Sequence, residues 1–275
     1  MNSISGGYSL NATNIKLAAV LLMVLDHIHQ MFLPFGAPIW LTWIGRPVLI
    51  MFLFTLAETF HHTASRKKLL LRLLLASCLM QIAVTFLNVA LPNGQVELFN
   101  NAFATLFVTA LYMLFWELGR EGLRTGKPAQ TAFAGALFFL PVLTALPILY
   151  IAYLGFEGNW DSAYVWLYPI AVGAASMLPN ILTVEGGPPI ILLGVLFYIF
   201  RERRQNQVLI LVIISALMFF FYQDEAKQWL MVLAAIPILL YNGEKGRGLK
   251  YFFYIFYPAH IILLYTVATL ALNNT

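Results

Sequence analysis

The sequence has 275 residues, of which 61% are hydrophobic and only 10% are charged, and its mean hydropathy is +0.80. A water-soluble domain of this length needs roughly a quarter of its residues charged, so the composition excludes a soluble globular protein and predicts a surface that faces lipid. The net charge of +4 would suggest a nucleic-acid partner in a soluble protein. In a membrane protein the placement of the charges matters more, and we expect no nucleic-acid partner.

Apolar runs of near 20 residues recur along the chain, and such a run crosses a hydrocarbon core of ~30 Å as a helix. The first residues lack a basic stretch followed by a cleavable apolar segment, so we expect no signal peptide. We predict an all-α protein, with a single domain over 1–275 formed by a polytopic transmembrane helix bundle of about nine spans. The predicted spans cover 16–35, 39–60, 69–90, 102–118, 131–154, 188–201, 207–222, 228–241 and 251–271.

Basic residues are concentrated in alternate connections between the spans, whereas the intervening connections carry acidic residues. By the positive-inside rule, the basic connections and the N-terminus are cytoplasmic. If a weaker apolar stretch at 163–178 crossed the membrane, the basic loop at 201–204 would lie outside. We therefore predict that 163–178 is a re-entrant or interfacial segment on the outer side. The run 131–154 contains Pro141 and Pro147, which are expected to kink it.

Ionisable side chains occur at membrane depths where they are costly, which makes them candidates for a functional site. In span one, His27 lies ~16 Å from the start of the span, and in the last span His260 lies at ~15 Å, so the two histidines are expected at one depth. Asp26 and His27 are sequence neighbours and do not face the same side of a helix. We therefore expect them to contact different partners, with Arg46 of span two and His260 as the candidates.

A second polar group is predicted at the cytoplasmic face, where Glu58 lies near the end of span two and basic, glycine-containing loops are found. Cations and exposed backbone amides suit a phosphorylated cytosolic ligand, although the positive-inside rule alone also explains a basic loop. The candidate ligand-binding residues are Arg66, Lys67, Lys68, Arg72, Asn242, Lys245 and Arg247. No metal-binding cluster is predicted.

Several segments resemble, in order, the signature blocks of the TraX family. They are LAAVLLMVLDHIHQMF, IGRPVLIMFLFTLAETFHHTASRKKLLLRL, Gln81, NAFATL and YNGEKGRGLKYFFYIFYPAHIILLY, the last of which is the most specific. The family is named for the F-pilin acetyltransferase, which moves an acetyl group from acetyl-CoA to the N-terminus of membrane-held pilin. The chain is also distantly similar to multi-span acyltransferases that modify extracellular sugars with cytosolic acyl-CoA. Where many members have a short D-Y-G, this chain has Glu185-Gly186-Gly187 after an additional stretch at 155–184.

The resemblance implies a bacterial cytoplasmic (inner) membrane protein that uses acetyl-CoA as cosubstrate, bound by the basic residues named above. Either His27 or His260 would act as the base, and Asp26 would orient a histidine or stabilise its cationic form. The oxyanion would be stabilised by Arg46, Gln81, Asn101 or Thr105. Further candidates for the polar site are Glu58, Gln81, Asn101, Thr105 and Tyr257. The acceptor is an amine or hydroxyl on a membrane-associated peptide, glycan or lipid, and the sequence leaves this choice open.

Two other classes of function compete with an acetyltransferase. A transporter or flippase would use Asp26, His27 and Arg46 as a proton relay or substrate clamp. A non-catalytic assembly partner of other membrane proteins would need none of these residues for chemistry.

Overall fold

The computed structural model describes residues 9–156, 167–221 and 227–273. Over these residues the chain is helical, and its extended pairing amounts to an isolated parallel β-bridge between Leu10 and Tyr241. The predicted all-α fold is therefore confirmed for the described part of the chain.

Among the described residues, seven helical segments are long and apolar enough to cross a membrane, and each overlaps one of the predicted spans. They are Ala12–Phe35, Trp40–His62, Arg66–Ala90, Ala102–Arg124, Pro128–Gly155, Arg204–Phe221 and Tyr251–Leu272. Large apolar side chains such as Leu21, Leu79 and Phe86 are more than half exposed on these helices, as expected for surfaces that contact lipid. The protein is thus a multi-pass membrane protein.

The other two predicted spans correspond to shorter apolar helices, Gly187–Ile199 and Gln228–Leu239. A helix of 13 residues, the length of the first, extends only ~20 Å, less than the ~30 Å of a hydrocarbon core. The total of nine spans and the cytoplasmic N-terminus therefore stay predictions.

The chain packs as two compact units. The first unit is formed by Met1–His61 with Leu196–Leu264, and the second by His62–Val195 with Tyr265–Thr275. The prediction of one domain over 1–275 stays a prediction.

The first unit contains helices from both ends of the sequence. They are α1 (Ala12–Phe32), α2 (Trp40–Gly45), α3 (Val48–His62, except its last residue), α11 (Arg204–Phe221), a 3-10 helix (Gln228–Ala234), α12 (Ala235–Leu239) and the first part of α13 (Lys250–Leu272). Helix α1 packs on α2, and α11 packs on the 3-10 helix and α12. Asn11 caps α1, since its side chain accepts the backbone N–H of Asn14 at 2.9 Å.

The second unit is built from the middle of the sequence. Its helices are α4 (Arg66–Ala90), α5 (Ala102–Arg124), α6 (Pro128–Leu137), α7 (Leu140–Leu143), α8 (Leu146–Phe156), α9 (Leu167–Ala175) and most of α10 (Gly187–Ile199). Helix α4 packs on α5 and α9, α5 packs on α6, and α8 packs on α9.

Prolines interrupt the long apolar run at 131–154, as predicted. The run forms three helices, α6 to α8, and Pro141 and Pro147 are each the second residue of the next one. A proline is tolerated in the first turn of a helix because the N–H that it lacks would have no partner there.

The weak apolar stretch at 163–178 is described from residue 167 onward, and 163–166 lies outside the described residues. Helix α9 has nine residues and extends only ~14 Å, which is too short to cross a membrane alone. It lies close to α4, because a Cβ at Gly173 would come 2.3 Å from Oγ1 of Thr85. The re-entrant or interfacial placement on the outer side stays a prediction.

The basic loop before α13 is held by its backbone against the start of α1. The backbone N–H of Leu10 donates to Leu240 O at 2.9 Å, and the N–H of Ala12 donates to Glu244 O at 2.8 Å. The hydroxyl of Thr13 lies 3.0 Å from the carbonyl oxygen of Lys245 and 2.6 Å from that of Arg247. The beginning of α1 and this loop therefore lie at the same end of the first unit.

Gly246 permits the close approach of this loop to α1, and we expect Gly246→Ala to lower the stability of the folded protein. Gly246 has a φ of +71°, and a Cβ there would come 2.4 Å from Oδ1 of Asn11, the atom that caps α1. The left-handed backbone costs roughly 1–2 kcal/mol for alanine, and loss of the cap adds about 1 kcal/mol. The midpoint of thermal unfolding in detergent should fall. Gly248→Ala is the matched control, because a Cβ there meets no atom within 4 Å, and an equal fall for both variants would contradict this reading.

Candidate functional site

The centre of the candidate site is a pair of buried histidines in the first unit. Nδ1 of His27 in α1 lies 2.7 Å from Nε2 of His260 in α13, and both residues are less than 8% exposed. The two rings are stacked, with centroids 4.9 Å apart and planes inclined by 18°. The expectation that these histidines share one depth is met, since they form a hydrogen bond across 233 residues of sequence.

The helix repeat explains why His27 points inward. Ile15, Ala19, Met23 and His27 follow one another at intervals of four residues, and all are buried. Tyr257, one turn before His260, is also buried, and its ring centroid lies 6.4 Å from that of His27. The predicted candidate Tyr257 is thus a neighbour of the histidine pair.

Arg46 lies at the break between α2 and α3, directly before Pro47. Since Pro47 has no N–H, the helical hydrogen bond to the carbonyl of Trp43 cannot form, and that carbonyl accepts the N–H of Arg46 at 3.3 Å. In a regular helix the backbone N–H of Arg46 would donate to the carbonyl of Thr42. Here the Thr42 carbonyl accepts the side-chain Nε–H of Arg46 instead, at 3.1 Å. The helix break therefore supplies an acceptor that fixes the guanidinium.

The guanidinium of Arg46 connects three parts of the first unit. Nη1 donates to Oε1 of Gln228 in the 3-10 helix at 3.1 Å, and Nη2 donates to Oδ1 of Asp26 in α1 at 3.4 Å. Nη2 also donates to the hydroxyl of Thr42, which in turn donates to Oδ1 of Asp26. The predicted pairing of Asp26 with Arg46 is present, and both side chains remain about a quarter exposed.

The expected role of Asp26, to orient a histidine or stabilise its cationic form, stays a prediction. Nδ1 of His27 contacts His260, while Asp26 hydrogen-bonds to Thr42 and Arg46. The physical reason is the one that separates neighbouring residues on a helix, because successive side chains point about 100° apart. His260 is thus a hydrogen-bond partner of His27.

Three residues of this site were missed from the sequence. Thr42 lies four residues before Arg46, and this spacing on one helix face is a detectable signal. Gly45 lets α2 approach α1, because a Cβ there would come 2.4 Å from Cβ of Asp26. Gln228 follows its partner Arg46 by 182 residues, and no local pattern in the sequence indicates this contact.

Glu58 forms a second ion pair in the first unit, with a partner that the sequence did not indicate. Nη1 of Arg204, at the start of α11, lies 3.4 Å from Oε1 of Glu58 and 2.9 Å from Oε1 of Gln207. The guanidinium lies 4.8 Å from the ring centroids of both Phe54 and Tyr241, within the range of cation–π attraction.

The residues predicted to bind a phosphorylated ligand, all basic except Asn242, are divided between the two units. Asn242, Lys245 and Arg247 belong to the first unit and are exposed, although Asn242 also forms a local turn by accepting the N–H of Glu244 at 2.9 Å. Arg66, Lys67, Lys68 and Arg72 belong to the second unit. Among these, Arg66 pairs with Glu117 at 2.8 Å.

The remaining polar candidates lie in the second unit and have structural contacts of their own. Asn101 caps α5 through the N–H of Ala104 at 3.3 Å and donates to the carbonyl of Ser77 at 3.1 Å. Nδ2 of Asn101 also lies 3.5 Å from the side-chain oxygen of Gln81. Thr105 donates to the carbonyl of Glu185 at 3.2 Å. Their roles in stabilising an oxyanion stay predictions.

We expect Arg204→Ala to be far more damaging than Arg203→Ala. Removing Arg204 leaves Glu58, whose side chain is 11% exposed, as a carboxylate without its cation. The cost should be about 2 kcal/mol or more, below the ~3–5 kcal/mol of a fully enclosed pair. Arg203 carries the same charge on the same connection and is exposed, so it controls for topology. Thermal unfolding in detergent measures both, and adding Glu58→Gln to Arg204→Ala should restore part of the loss. Equal midpoints for the two arginine variants would contradict the assignment.

Comparison with known proteins gives one match. A family model described as TraX protein matches residues 11–268, which includes every residue of the sites described above. Neither the curated proteins nor the solved structures contain a match.

Proposed function

This chain belongs to the TraX family, and we propose that it transfers an acetyl group from cytosolic acetyl-CoA to an amine or hydroxyl of a membrane-associated acceptor. Family membership fits a membrane protein with a function related to pili or conjugation, and a bacterial cytoplasmic membrane is the location we propose. The observation that carries the proposal is the hydrogen bond between His27 and His260 inside an apolar helix bundle.

The histidine pair supplies the base that acetyl transfer needs. As the acceptor nitrogen or oxygen attacks the thioester carbonyl, an imidazole takes the proton of the acceptor. The new C–N or C–O bond forms, the C–S bond breaks, and the departing thiolate of coenzyme A receives the proton back from the imidazole. Atoms and charge balance without any other reactant.

Arg46 supplies a fixed positive charge in the same unit. Four hydrogen bonds hold its guanidinium. A cation that is already oriented stabilises the negative charge that develops on the thioester oxygen without reorganising during the reaction. We therefore keep Arg46 as the oxyanion-stabilising group and Asp26 as its positioning partner.

Each unit, taken by itself, has a basic segment with the charge to bind phosphates such as those of acetyl-CoA. Lys245 and Arg247 project from a loop whose backbone is held by Thr13. Helix α4 begins with Arg66, Lys67 and Lys68 and has no acidic residue in its first turn. Cations at the positive end of a helix are unfavourable, so a bound anion there would relieve the repulsion.

Transport is the alternative function, and the ion pair of Asp26 and Arg46 is the observation that favours it. Charged pairs within spans commonly line substrate or proton pathways. The two functions differ in product: proteoliposomes loaded with a peptide that has a free N-terminus should release coenzyme A thiol when given acetyl-CoA. Flux of acetyl-CoA or protons without a thiol product would favour transport.

We expect His27→Ala and His260→Ala to abolish most acetyl transfer. Loss of a general base typically lowers the rate ~10²–10⁴-fold, and release of coenzyme A thiol in the presence of a membrane-anchored peptide measures it. His29→Ala is the matched control, since His29 is buried in the same helix but contacts a backbone carbonyl, that of Ala37, at 3.0 Å. Full activity in both His27 and His260 variants would refute a base in this pair.

We expect Lys245→Ala combined with Arg247→Ala to raise the KM for acetyl-CoA about tenfold while kcat changes little, because these cations bind the phosphates and not the reacting atoms. Steady-state kinetics with varied acetyl-CoA measures this. Arg124→Ala combined with Lys127→Ala is the control, as it removes two exposed cations from another connection. An unchanged KM in the Lys245 and Arg247 double variant would mean that these cations do not bind acetyl-CoA and serve only to orient the protein in the membrane.

A further inference from the structure

One hydrogen bond in the last helix fixes the tautomer of His260. Nδ1 of His260 lies 2.8 Å from the carbonyl oxygen of Phe256, one turn earlier in α13. A carbonyl oxygen only accepts hydrogen bonds, so Nδ1 of His260 must carry the proton. In a neutral imidazole the other nitrogen, Nε2, then carries the lone pair.

This tautomer determines the tautomer of His27. Nε2 of His260 lies 2.7 Å from Nδ1 of His27, and since the first atom is an acceptor, the second must be the donor. A proton on Nδ1 of His27 leaves the acceptor lone pair of that ring on Nε2. The reverse arrangement would set the Nδ1 lone pair of His260 against the Phe256 carbonyl, with two acceptors 2.8 Å apart.

We propose that His260 is a positioning residue, and that it holds His27 in the tautomer whose Nε2 takes the proton of the acceptor. This assignment rests on the proposed function and divides the roles within the histidine pair. The proton moves from the acceptor to Nε2 of His27 and from there to the leaving thiolate, while the Nδ1 proton of His27 stays between the two rings.

The surroundings of His260 suit a positioning role. Its ring is stacked on that of Phe256, with centroids 5.1 Å apart and planes inclined by 15°. The anchoring carbonyl belongs to the same helix, so the ring orientation depends little on other contacts. A ring held from both sides presents an acceptor to His27 at a fixed place.

Substitution of His260 by glutamine separates a positioning role from proton transfer. The side-chain oxygen of glutamine can accept the Nδ1–H of His27, near the place of Nε2 of His260, but the amide cannot carry a proton at neutral pH. We expect His260→Gln to keep transfer within about tenfold of the wild type. His260→Leu, which has similar bulk and no acceptor, should lower kcat about 100-fold with an unchanged KM for acetyl-CoA. His27→Gln should lose ~10²–10⁴-fold. If His260→Gln is as inactive as His260→Leu, the proton passes through His260 and the proposal is overturned.

Nitrogen NMR gives a second readout that does not depend on activity. In full-length protein labelled with ¹⁵N-histidine, the signals of the five histidines are assigned by single substitutions. We expect a protonated Nδ1 and an unprotonated Nε2 for His27 in the wild type, and the opposite tautomer would overturn the proposal. If the wild type shows this tautomer but transfers no acetyl group, the proposed function fails while the assignment of the tautomer stands.

Discussion

The hydrocarbon core offers no hydrogen-bonding partner, so each polar group within a span must be satisfied by another group of the protein. This constraint accounts for the main features of the first unit. His27 and His260 satisfy each other and the carbonyl of Phe256, and Arg46 is held by four bonds to three residues. The bonds of His27 to His260 and of Arg46 to Asp26 and Gln228 join different helices, so these polar groups also hold the helices of the first unit together.

Proline and glycine create the openings through which these contacts form. Pro47 ends α2 and exposes a carbonyl at the place where the Arg46 side chain can reach it. Gly45 brings α2 close enough to α1 that any side chain would collide with Asp26. Near the C-terminal end of the chain, Gly246 makes a comparable close approach to Asn11. In all three places the backbone comes close to a polar side chain because a glycine lacks a Cβ or a proline lacks an N–H.

The sequence predicts some of the contacts in the site and not others. Helical periodicity and depth are enough to expect that His27 meets His260 and that Asp26 meets Arg46, because helix geometry inside a membrane is nearly fixed. The partners Gln228 and Arg204 were not predictable in this way, since they lie 182 and 146 residues from the groups that they contact. The separate partners of Asp26 and His27 follow from the ~100° between successive side chains of a helix, and the orienting role of Asp26 stays a prediction. The short helices near 188–201 and 228–241 also show that an apolar run does not give the length of the helix it forms.

The ion pairs of Asp26 with Arg46 and of Glu58 with Arg204, both in the first unit, differ in their exposure. A buried ion pair is weak evidence for stability, because the desolvation of both charges offsets their attraction. Glu58 is 11% exposed, and its partner Arg204 lies against the rings of Phe54 and Tyr241, so a ligand has little access to either charge. Asp26 is 25% exposed, and both hydrogen bonds that the described residues make to its carboxylate use Oδ1. The pair of Asp26 and Arg46 is therefore the more exposed of the two, and Asp26 is the sequence neighbour of His27. An ion pair that is fixed on one side and open on the other suits a reaction that develops charge, whereas the enclosed pair of Glu58 and Arg204 suits the fixed packing of α3 against α11.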